Sequence, residues 1–417
     1  MRSCAILGTL LALLLLAGGQ NPAGSTGAPA GASGRAAGAA ERSSDREGNL
    51  PKPVSLEQAG LQTYWRAKIK LRFRERITRL DLLGDILYCL TNSGQLVAID
   101  AKRGLIKWTY MVDATKKETI YRPSHPPLKV VLRVGVGEER KAKTFNAVVF
   151  NTVTRLIVLD RDTGQEMRNV ELQLPANSSG ASDGINEYLG SVKGLFHSFD
   201  LDKGVHGWTR KTDDMITAPV VYHNEHVYVG GEDHFFHVVT AGPWGRTVWK
   251  QELGGAIVAE FAVGPEGCFV PCEDGKLYAF HALTGEKLWE PFVCRAPLLD
   301  PAQVGRKAVF TYARGDKFYA VNITNGAELW SDPDDRLVLA VIGEDAYILD
   351  KDRNLRVIDE ATGKIKFVVS LSKLGLFALN TRVPAVFASS DSGWVICINR
   401  TTEGHITPKM IKEAMEP

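Results

Sequence analysis

GKLYAFHALTGEKLW, from Gly275 to Trp289, is the clearest of eight related segments in this chain of 417 residues. Each segment has an apolar run, a turn that usually contains glycine, and in most copies a tryptophan after the turn. From the second copy onward the spacing is about 40 residues, which is the period of a four-stranded propeller blade. The other copies begin at Gly94, Thr154, Gly194, His234, Asp316, Asn354 and Gly393.

The local sequence of one copy predicts strands joined by tight turns. Asp274-Gly275 separates the apolar runs GCFVPC and KLYAFHA, which is a strong hairpin signal because glycine readily takes the positive φ of such a turn. A second turn has aspartate four residues before glycine, so that the carboxylate can accept hydrogen bonds from the following backbone amides. This second pattern occurs at Asp100–Gly104, Asp160–Gly164, Asp200–Gly204 and Asp359–Gly363.

A large aromatic residue follows most of these turn glycines by four positions. One such ring buries about 150–250 Å², so we expect it to pack between neighbouring blades and to have a structural role. The predicted docking residues are Trp108, Trp208, Trp249, Trp289 and Trp330, with Met167 and Phe367 at the equivalent places of two other copies.

The eighth copy lacks this tryptophan, because Pro408 stands at its position. Trp65, in the segment LQTYWRAKIKL before the first copy, can supply the missing ring. The N-terminal strand would then complete the last blade and remove the open sheet edges. The sequence therefore predicts an all-β, eight-bladed β-propeller of four-stranded antiparallel blades over residues 60–405.

The chain outside the repeats has a different composition. Residues 1–19 hold Arg2, an apolar run and small residues, which is the layout of a secretory signal peptide; an uncleaved anchor is the alternative. Residues 20–55 are predicted to be a disordered linker rich in Gly, Ala and Ser, and residues 406–417 a C-terminal tail. We therefore expect an extracytoplasmic, periplasmic protein without a transmembrane segment in its mature form.

The net charge and the cysteine content indicate which partners and which kinds of site are to be expected. A formal net charge of +2 gives no broad field for nucleic acid, which argues against a nucleic-acid partner. Five cysteines remain beyond the signal segment, an odd number, and Cys268 and Cys272 would be about 13 Å apart along a strand. These cysteines are therefore predicted to be buried apolar side chains. No motif for a catalytic or metal site occurs.

Two segments interrupt the regular pattern and are candidate interaction sites. Residues 66–76, RAKIKLRFRER, alternate basic and apolar side chains; either a partner or simple solvent exposure of an outer strand accounts for this basic stripe. The first copy is followed by about 20 extra residues between Thr115 and Lys143, and insertions in such scaffolds commonly carry specificity. The candidate contact residues there are Lys116, Lys117, Tyr121, Arg122 and His125, although a solvated hairpin without a partner is the alternative.

The phrase from Ala98 to Trp108, which reads AIDAKRGLIKW, resembles the tryptophan-docking repeat of the quinoprotein-type, or PQQ-like, propellers. One branch of that family comprises dehydrogenases that hold PQQ and Ca²⁺ on the propeller axis, often beside a disulfide of adjacent cysteines. Another branch is BamB-like: eight-bladed, periplasmic, without a cofactor, and acting by binding other proteins. No adjacent cysteine pair occurs in this chain, and the lipid-attachment cysteine of the BamB-like branch is also missing.

We therefore expect a monomeric, exported, PQQ-like propeller that binds envelope proteins as a scaffold, with no catalytic activity and no cofactor. The resemblance also implies the first alternative, a PQQ-dependent quinoprotein dehydrogenase that uses Ca²⁺. A glycan- or cell-wall-binding propeller is the second alternative.

Overall fold

Eight antiparallel sheets, built from consecutive parts of the chain, form the blades of a β-propeller and confirm the predicted fold class. The computed structural model describes residues 50–112, 118–134 and 141–403. The central strands of each blade are the most apolar, and their side chains fill the spaces between neighbouring blades. Burial of these strands on both faces follows from their nearly continuous apolar sequences.

Blades 1 to 4 follow one another along the first half of the propeller. Blade 1 comprises β2 (Ile77–Leu83), β3 (Ile86–Thr91), β4 (Gln95–Asp100) and β5 (Ile106–Met111). Blade 2 comprises β8 (Ala147–Asn151), β9 (Arg155–Asp160) and β10 (Glu166–Glu171). Blade 3 comprises β11 (Ala181–Ser182), β12 (Asn186–Gly190), β13 (Leu195–Asp200) and β14 (Val205–Lys211). Blade 4 comprises β15 (Val221–His223), β16 (His226–Gly230), β17 (Phe235–Thr240) and β18 (Thr247–Glu252).

Blades 5 to 8 complete the ring. Blade 5 comprises β19 (Ala262–Gly264), β20 (Gly267–Pro271), β21 (Lys276–Phe280) and β22 (Phe292–Val293). Blade 6 comprises β23 (Gln303–Val304), β24 (Ala308–Tyr312), β25 (Phe318–Asn322) and β26 (Glu328–Asp332). Blade 7 comprises β27 (Asp335–Ile342), β28 (Asp345–Asp350), β29 (Asn354–Asp359) and β30 (Ile365–Ser370). Blade 8 comprises β31 (Leu376–Phe377), β32 (Val386–Ser389), β33 (Trp394–Arg400) and β1 (Leu61–Lys68).

Blade 8 closes the ring with the N-terminal strand, as the sequence predicts. β1 pairs antiparallel with β33, from Leu61 opposite Arg400 to Lys68 opposite Trp394. A short helix, α1 (Pro53–Glu57), precedes β1, and a 3₁₀ turn over Thr401–Glu403 follows β33. Within the described ranges, no helix combines the length and apolar character needed to cross a bilayer.

The predicted docking indoles all lie against the next blade in the ring. In each case the indole nitrogen donates a hydrogen bond to a backbone oxygen of that blade's outer turn, and the ring covers the turn glycine. A Cβ placed on Gly104, for example, would lie 2.6 Å from the ring of Trp65. The six donor–acceptor pairs are Trp65–Ala101 at 2.8 Å, Trp108–Arg161 at 2.8 Å, Trp208–Gly242 at 2.7 Å, Trp249–Ala282 at 3.1 Å, Trp289–Ile323 at 3.3 Å and Trp330–Glu360 at 2.8 Å.

In blade 2 the place of these tryptophans is taken by Arg168, which lies opposite Val158 as Trp108 lies opposite Ala98. The predicted stand-in, Met167, is one position off and packs instead against the cluster that an inserted hairpin helps to form. The hairpin consists of β6 (Val130–Val134) and β7 (Lys141–Phe145), and its Leu132 is fully buried in the cluster between blades 2 and 3. The Arg133 guanidinium binds Asp202 in the outer turn of blade 3, with Nε–Oδ2 at 2.8 Å. The hairpin thus supplies apolar contacts at a blade junction without an indole.

Because the extra residues follow the first copy, they would be expected at the crossover from the outer strand of blade 1 to the inner strand of blade 2, but the hairpin lies elsewhere. Ile120 and Ser124 form isolated antiparallel bridges with Thr152 and Val149, so residues 120–124 are the innermost segment of blade 2. The hairpin is therefore inserted within blade 2, between this segment and β8. The position of the hairpin could not be predicted from the sequence, because the innermost segment is short and contains a proline, which weakens the sequence signal for a strand.

Candidate functional site at the propeller axis

The innermost strands enclose a cavity of about 480 Å³ at the axis of the ring. Seven blades contribute to its wall, which combines apolar and polar side chains. Its apolar lining includes Leu80, Leu82, Leu337, Leu376, Phe377 and Leu379, and its polar lining includes Arg79, Asp81, Tyr121, Arg122, Asn177, Ser178, Thr217 and Glu260. The cavity is thus amphipathic, which is the common character of small-molecule sites.

An ion pair crosses the axis and divides this space. Arg122 of blade 2 binds Glu260 at the entry to blade 5, with Nη1 at 2.6 and 2.8 Å from the two carboxylate oxygens. The Glu260 carboxylate raises the pKa of the Arg122 guanidinium above its usual value. Both groups also line a second cavity of about 490 Å³, which is bounded by β11 and β15 and by Arg382. The pair therefore stands between two chambers of the channel.

A second arginine connects this ion pair to blade 1. Asp81, a buried residue of β2, lies 2.6 Å from Arg79 Nε and 3.6 Å from Arg122 Nε. Arg79 also donates to the backbone oxygens of Ile120 and Tyr121 at 2.7 and 3.0 Å. The positive charges of the two guanidinium groups are thus compensated by the negative charges of the two carboxylates. Because the site is partly buried, leaving one of these charges without a partner would destabilise the protein.

Three of the five predicted contact residues fall within the part of the chain that the structure describes. Lys116 and Lys117 lie outside the described residues. Tyr121 and Arg122 are half-buried side chains of the channel wall, and His125 lies further along the same segment. These three side chains do not share the exposed surface of the inserted hairpin, and their contact with a partner stays a prediction.

Sequence reasoning missed Arg79, Asp81 and Glu260. Each is a single charged residue on or beside an innermost strand, without a local motif, and Glu260 is 138 positions from its partner Arg122. Only closure of the ring brings these positions together. The one usable signal was a charge next to apolar residues of a strand, as for Asp81 between Leu80 and Leu82 in ITRLDLL.

His125 is held in an environment that favours its neutral form. Nε2 lies 2.7 Å from the Tyr88 hydroxyl, and Nδ1 lies 3.4 Å from Arg161 Nη1. Burial, assisted by the positive charge of Arg161, lowers the pKa of His125 to about 4. A histidine in the unfolded chain has a pKa of about 6.5, so between pH 4 and pH 6.5 the unfolded chain binds more protons than the folded chain.

We expect His125 to make the protein less stable as the pH falls from 6.5 toward 4. Replacing it by His125→Gln keeps a polar group beside Tyr88 and removes the titration. Between pH 7 and 4.5 the variant should lose about 2 kcal/mol less unfolding free energy than the wild type. Urea denaturation at both pH values measures this difference, and parallel losses in the two proteins would contradict the assignment.

Within residues 50–112, 118–134 and 141–403, the cysteines and the acidic side chains show no arrangement typical of a metal or redox centre. In the described part of the chain, five cysteines are buried and free, and no group of three or more His, Cys, Asp or Glu side chains could hold a metal ion. Burial raises the pKa of Cys272 and Cys294 to about 12. The prediction of buried, unpaired cysteines is confirmed.

Comparison with known proteins identifies the family. The model of the family described as outer membrane protein assembly factor BamB matches residues 51–234, 192–336 and 237–416. These overlapping matches span the propeller. The chain belongs to this BamB family. This membership agrees with the PQQ-like resemblance of the repeats.

Individual BamB proteins resemble the chain to different extents. BamB of Burkholderia pseudomallei (strain K96243) is 27% identical over 151 residues, which are 35% of this chain and 39% of that relative. The match thus spans well under half the length of the relative. BamB from Moraxella catarrhalis has the same fold, with a TM-score of 0.61 and 20% identity over 83% of this chain and 99% of that one. A computationally designed protein, Ika8, reaches 0.59 with 17% identity over 81% and 99%.

Proposed function

We propose that this chain is an exported, extracytoplasmic propeller that binds other envelope proteins and acts as a scaffold without catalysing a reaction. Membership of the BamB family carries the proposal, because that family is described as an outer membrane protein assembly factor. The protein would act as a monomer, and its specificity would reside in features added to the regular blades, where propellers can vary without losing their fold.

The inserted hairpin is the surface that we assign to the partner. Leu128 and Val131 are exposed there, and Ile185 of blade 3 is exposed beside them. The backbone oxygen of Leu128 lies only 3.0 Å from where a Cβ on Gly184 would be, which places the hairpin directly against blade 3. Contiguous exposed apolar side chains on a polar surface mark interaction sites.

The axial residues do not fit PQQ and Ca²⁺, the cofactors of the dehydrogenase branch. Both axial carboxylates, Asp81 and Glu260, are paired with guanidinium groups, and the Arg122–Glu260 pair crosses the space between the two chambers. Displacing the pair would leave charges unpaired in a partly buried site. This arrangement supports a role in binding over cofactor chemistry.

Site-specific photo-crosslinking in a native cell envelope tests the proposal. A photoreactive side chain at Leu128 or Val131 should give discrete crosslinks to an envelope protein. Val248 and Ile365 are exposed on the outer strands of blades 4 and 7 and provide matched control positions. Equal crosslinking from all four positions would contradict the assigned surface. Alcohol oxidation by the purified protein after addition of PQQ and Ca²⁺ would instead support the dehydrogenase alternative.

A further inference from the structure

The loop between β1 and β2 presents an isolated aromatic side chain surrounded by cations. Phe73 is 91% exposed, more than any other large apolar side chain among the described residues. Lys70, Arg72, Arg74 and Arg76 are also exposed. The predicted basic stripe is therefore a strand only as far as Lys68, and its remaining part is this protruding loop.

Hydrogen bonds hold the loop in one conformation. The backbone amide of Glu75 donates to Arg72 O at 3.0 Å, which closes a tight turn with Phe73 at its apex. The Glu75 carboxylate accepts from the Thr91 hydroxyl at 2.8 Å and the Arg72 amide at 2.8 Å. It also binds Ser93. These bonds lower the pKa of Glu75 although its partial burial acts in the opposite direction. The apex is thus presented by a built turn.

Arg74 occupies a backbone conformation that costs the loop some stability. Its φ is 61°, in the left-handed region that residues with a Cβ seldom adopt. Its guanidinium lies 5.2 Å from the Phe73 ring centroid. Such conformations concentrate at functional positions, because the surrounding structure must enforce them. The turn therefore places an arginine where glycine or asparagine would be favoured by the backbone alone.

The loop carries more positive than negative charge. Glu75 is the only acidic residue between Lys70 and Arg76. Within the described part of the chain, Lys70, Arg74 and Arg76 have no ion pair. The basic surface continues onto blade 8, where Lys68 lies 5.0 Å from the Trp394 ring centroid. The loop and this edge of blade 8 form one cationic surface with an aromatic apex.

We propose that this loop docks the propeller onto an anionic phospholipid bilayer. The arginine guanidinium groups would bind lipid phosphates, for which their planar donor geometry is suited, and Phe73 would enter the boundary between headgroups and acyl chains. A convex apex with a single ring needs no complementary pocket, which a protein partner would have to supply. An anionic bilayer offers negative charge at its surface, where the arginines would lie, and an apolar layer beneath it, which Phe73 would reach.

Sedimentation of the full chain with vesicles tests this proposal. The vesicles contain phosphatidylcholine alone or phosphatidylcholine mixed with phosphatidylglycerol, and contain no protein partner. Wild type should partition preferentially to the anionic vesicles. Arg72→Gln combined with Arg74→Gln should lower that partitioning about thirty-fold, because each basic residue at an anionic surface contributes about 1 kcal/mol. Phe73→Ser should lower it about tenfold.

A matched charge control comes from the opposite end of blade 1. Lys102→Gln with Arg103→Gln removes two exposed cations from the turn after β4, whereas the loop contacts the turn before β4 through Asn92. This control should change partitioning by less than about twofold, because these charges would be directed away from the bilayer. Unchanged urea midpoints show that all variants fold.

Three outcomes would overturn the proposal. Equal binding of the wild type to neutral and anionic vesicles would remove the lipid specificity. Wild-type binding by the variant with Arg72→Gln and Arg74→Gln would show that these two arginines are not needed for lipid binding. Preferential binding of soluble polyglutamate would point to an acidic protein instead. All three are independent of the hairpin crosslinks, so the scaffold proposal and the bilayer proposal can fail separately.

Discussion

Replacing Trp65 by alanine is expected to lower the free energy of unfolding by about 3–5 kcal/mol. The side chain is nearly fully buried between blades 8 and 1, beside Phe387 and over Gly104. Its removal leaves a cavity the size of an indole and takes the hydrogen-bond donor from Ala101 O. The loss falls at the junction where β1 closes the ring, so the closing strand should open more readily.

Urea denaturation and amide hydrogen exchange measure the two consequences. Trp244→Ala is the matched control, because this indole is 67% exposed and the substitution removes the same atoms. The control should change stability by less than about 0.5 kcal/mol. Exchange should accelerate most for β1 and β33 in the Trp65→Ala variant. If both variants lose the same stability, the indole at the closure is not a principal packing element.

The repeat allowed the fold to be predicted almost completely. The same turn chemistry recurs in blades 1, 2, 3 and 7. In blade 1, for example, the Asp100 carboxylate accepts hydrogen bonds from the amides of Lys102 and Arg103, both at 2.9 Å. These signals lie within a few residues of one another, so they can be read without knowledge of the tertiary structure. Closure by β1 was predictable for a related reason, because the eighth copy lacks a docking tryptophan and Trp65 lies before the first copy.

The axial site could not be predicted in this way. Arg122, Asp81 and Glu260 meet only because three blades place their innermost segments around one axis, and no periodicity specifies which charges occupy those positions. Arg122 was selected for its place in an inserted segment, whereas the structure pairs it with Glu260 inside the channel. The Phe73 loop was missed for a local reason, because alternation of basic and apolar residues predicts a strand and gives no sign of the turn fixed by Glu75.

The second large effect is expected at a buried ion pair that joins blades 6 and 7. Arg356 of β29 binds Asp335, the first residue of β27, at 2.6 Å and Asp332, the last residue of β26, at 3.0 Å. Asp335 is fully buried, and its Oδ2 finds no hydrogen-bond partner among the residues that the structure describes. Arg356 therefore provides most of the compensation for this carboxylate, although burial still raises the pKa of Asp335 to about 6.

Arg356→Leu should lower the free energy of unfolding by about 3–5 kcal/mol at pH 7.5, because it leaves the Asp335 charge buried without a partner. Arg314→Leu is the control: Arg314 binds Asp300 with similar geometry but is 59% exposed, so its loss should be about 1 kcal/mol or less. Adding Asp335→Asn to Arg356→Leu removes the uncompensated charge and should recover part of the stability.

The pH dependence separates loss of charge compensation from loss of packing. A carboxylate whose folded pKa is raised contributes stability that is present at low pH and is lost as the pH rises through that pKa. Without Arg356 the pKa of Asp335 should rise further, so both proteins would hold a neutral Asp335 at pH 5, whereas only the wild type accommodates its charge at pH 7.5. The deficit of the variant should therefore shrink by about 1–2 kcal/mol at pH 5, measured by urea denaturation. A deficit that is the same at both pH values would show that Arg356 stabilises the blade junction through packing alone.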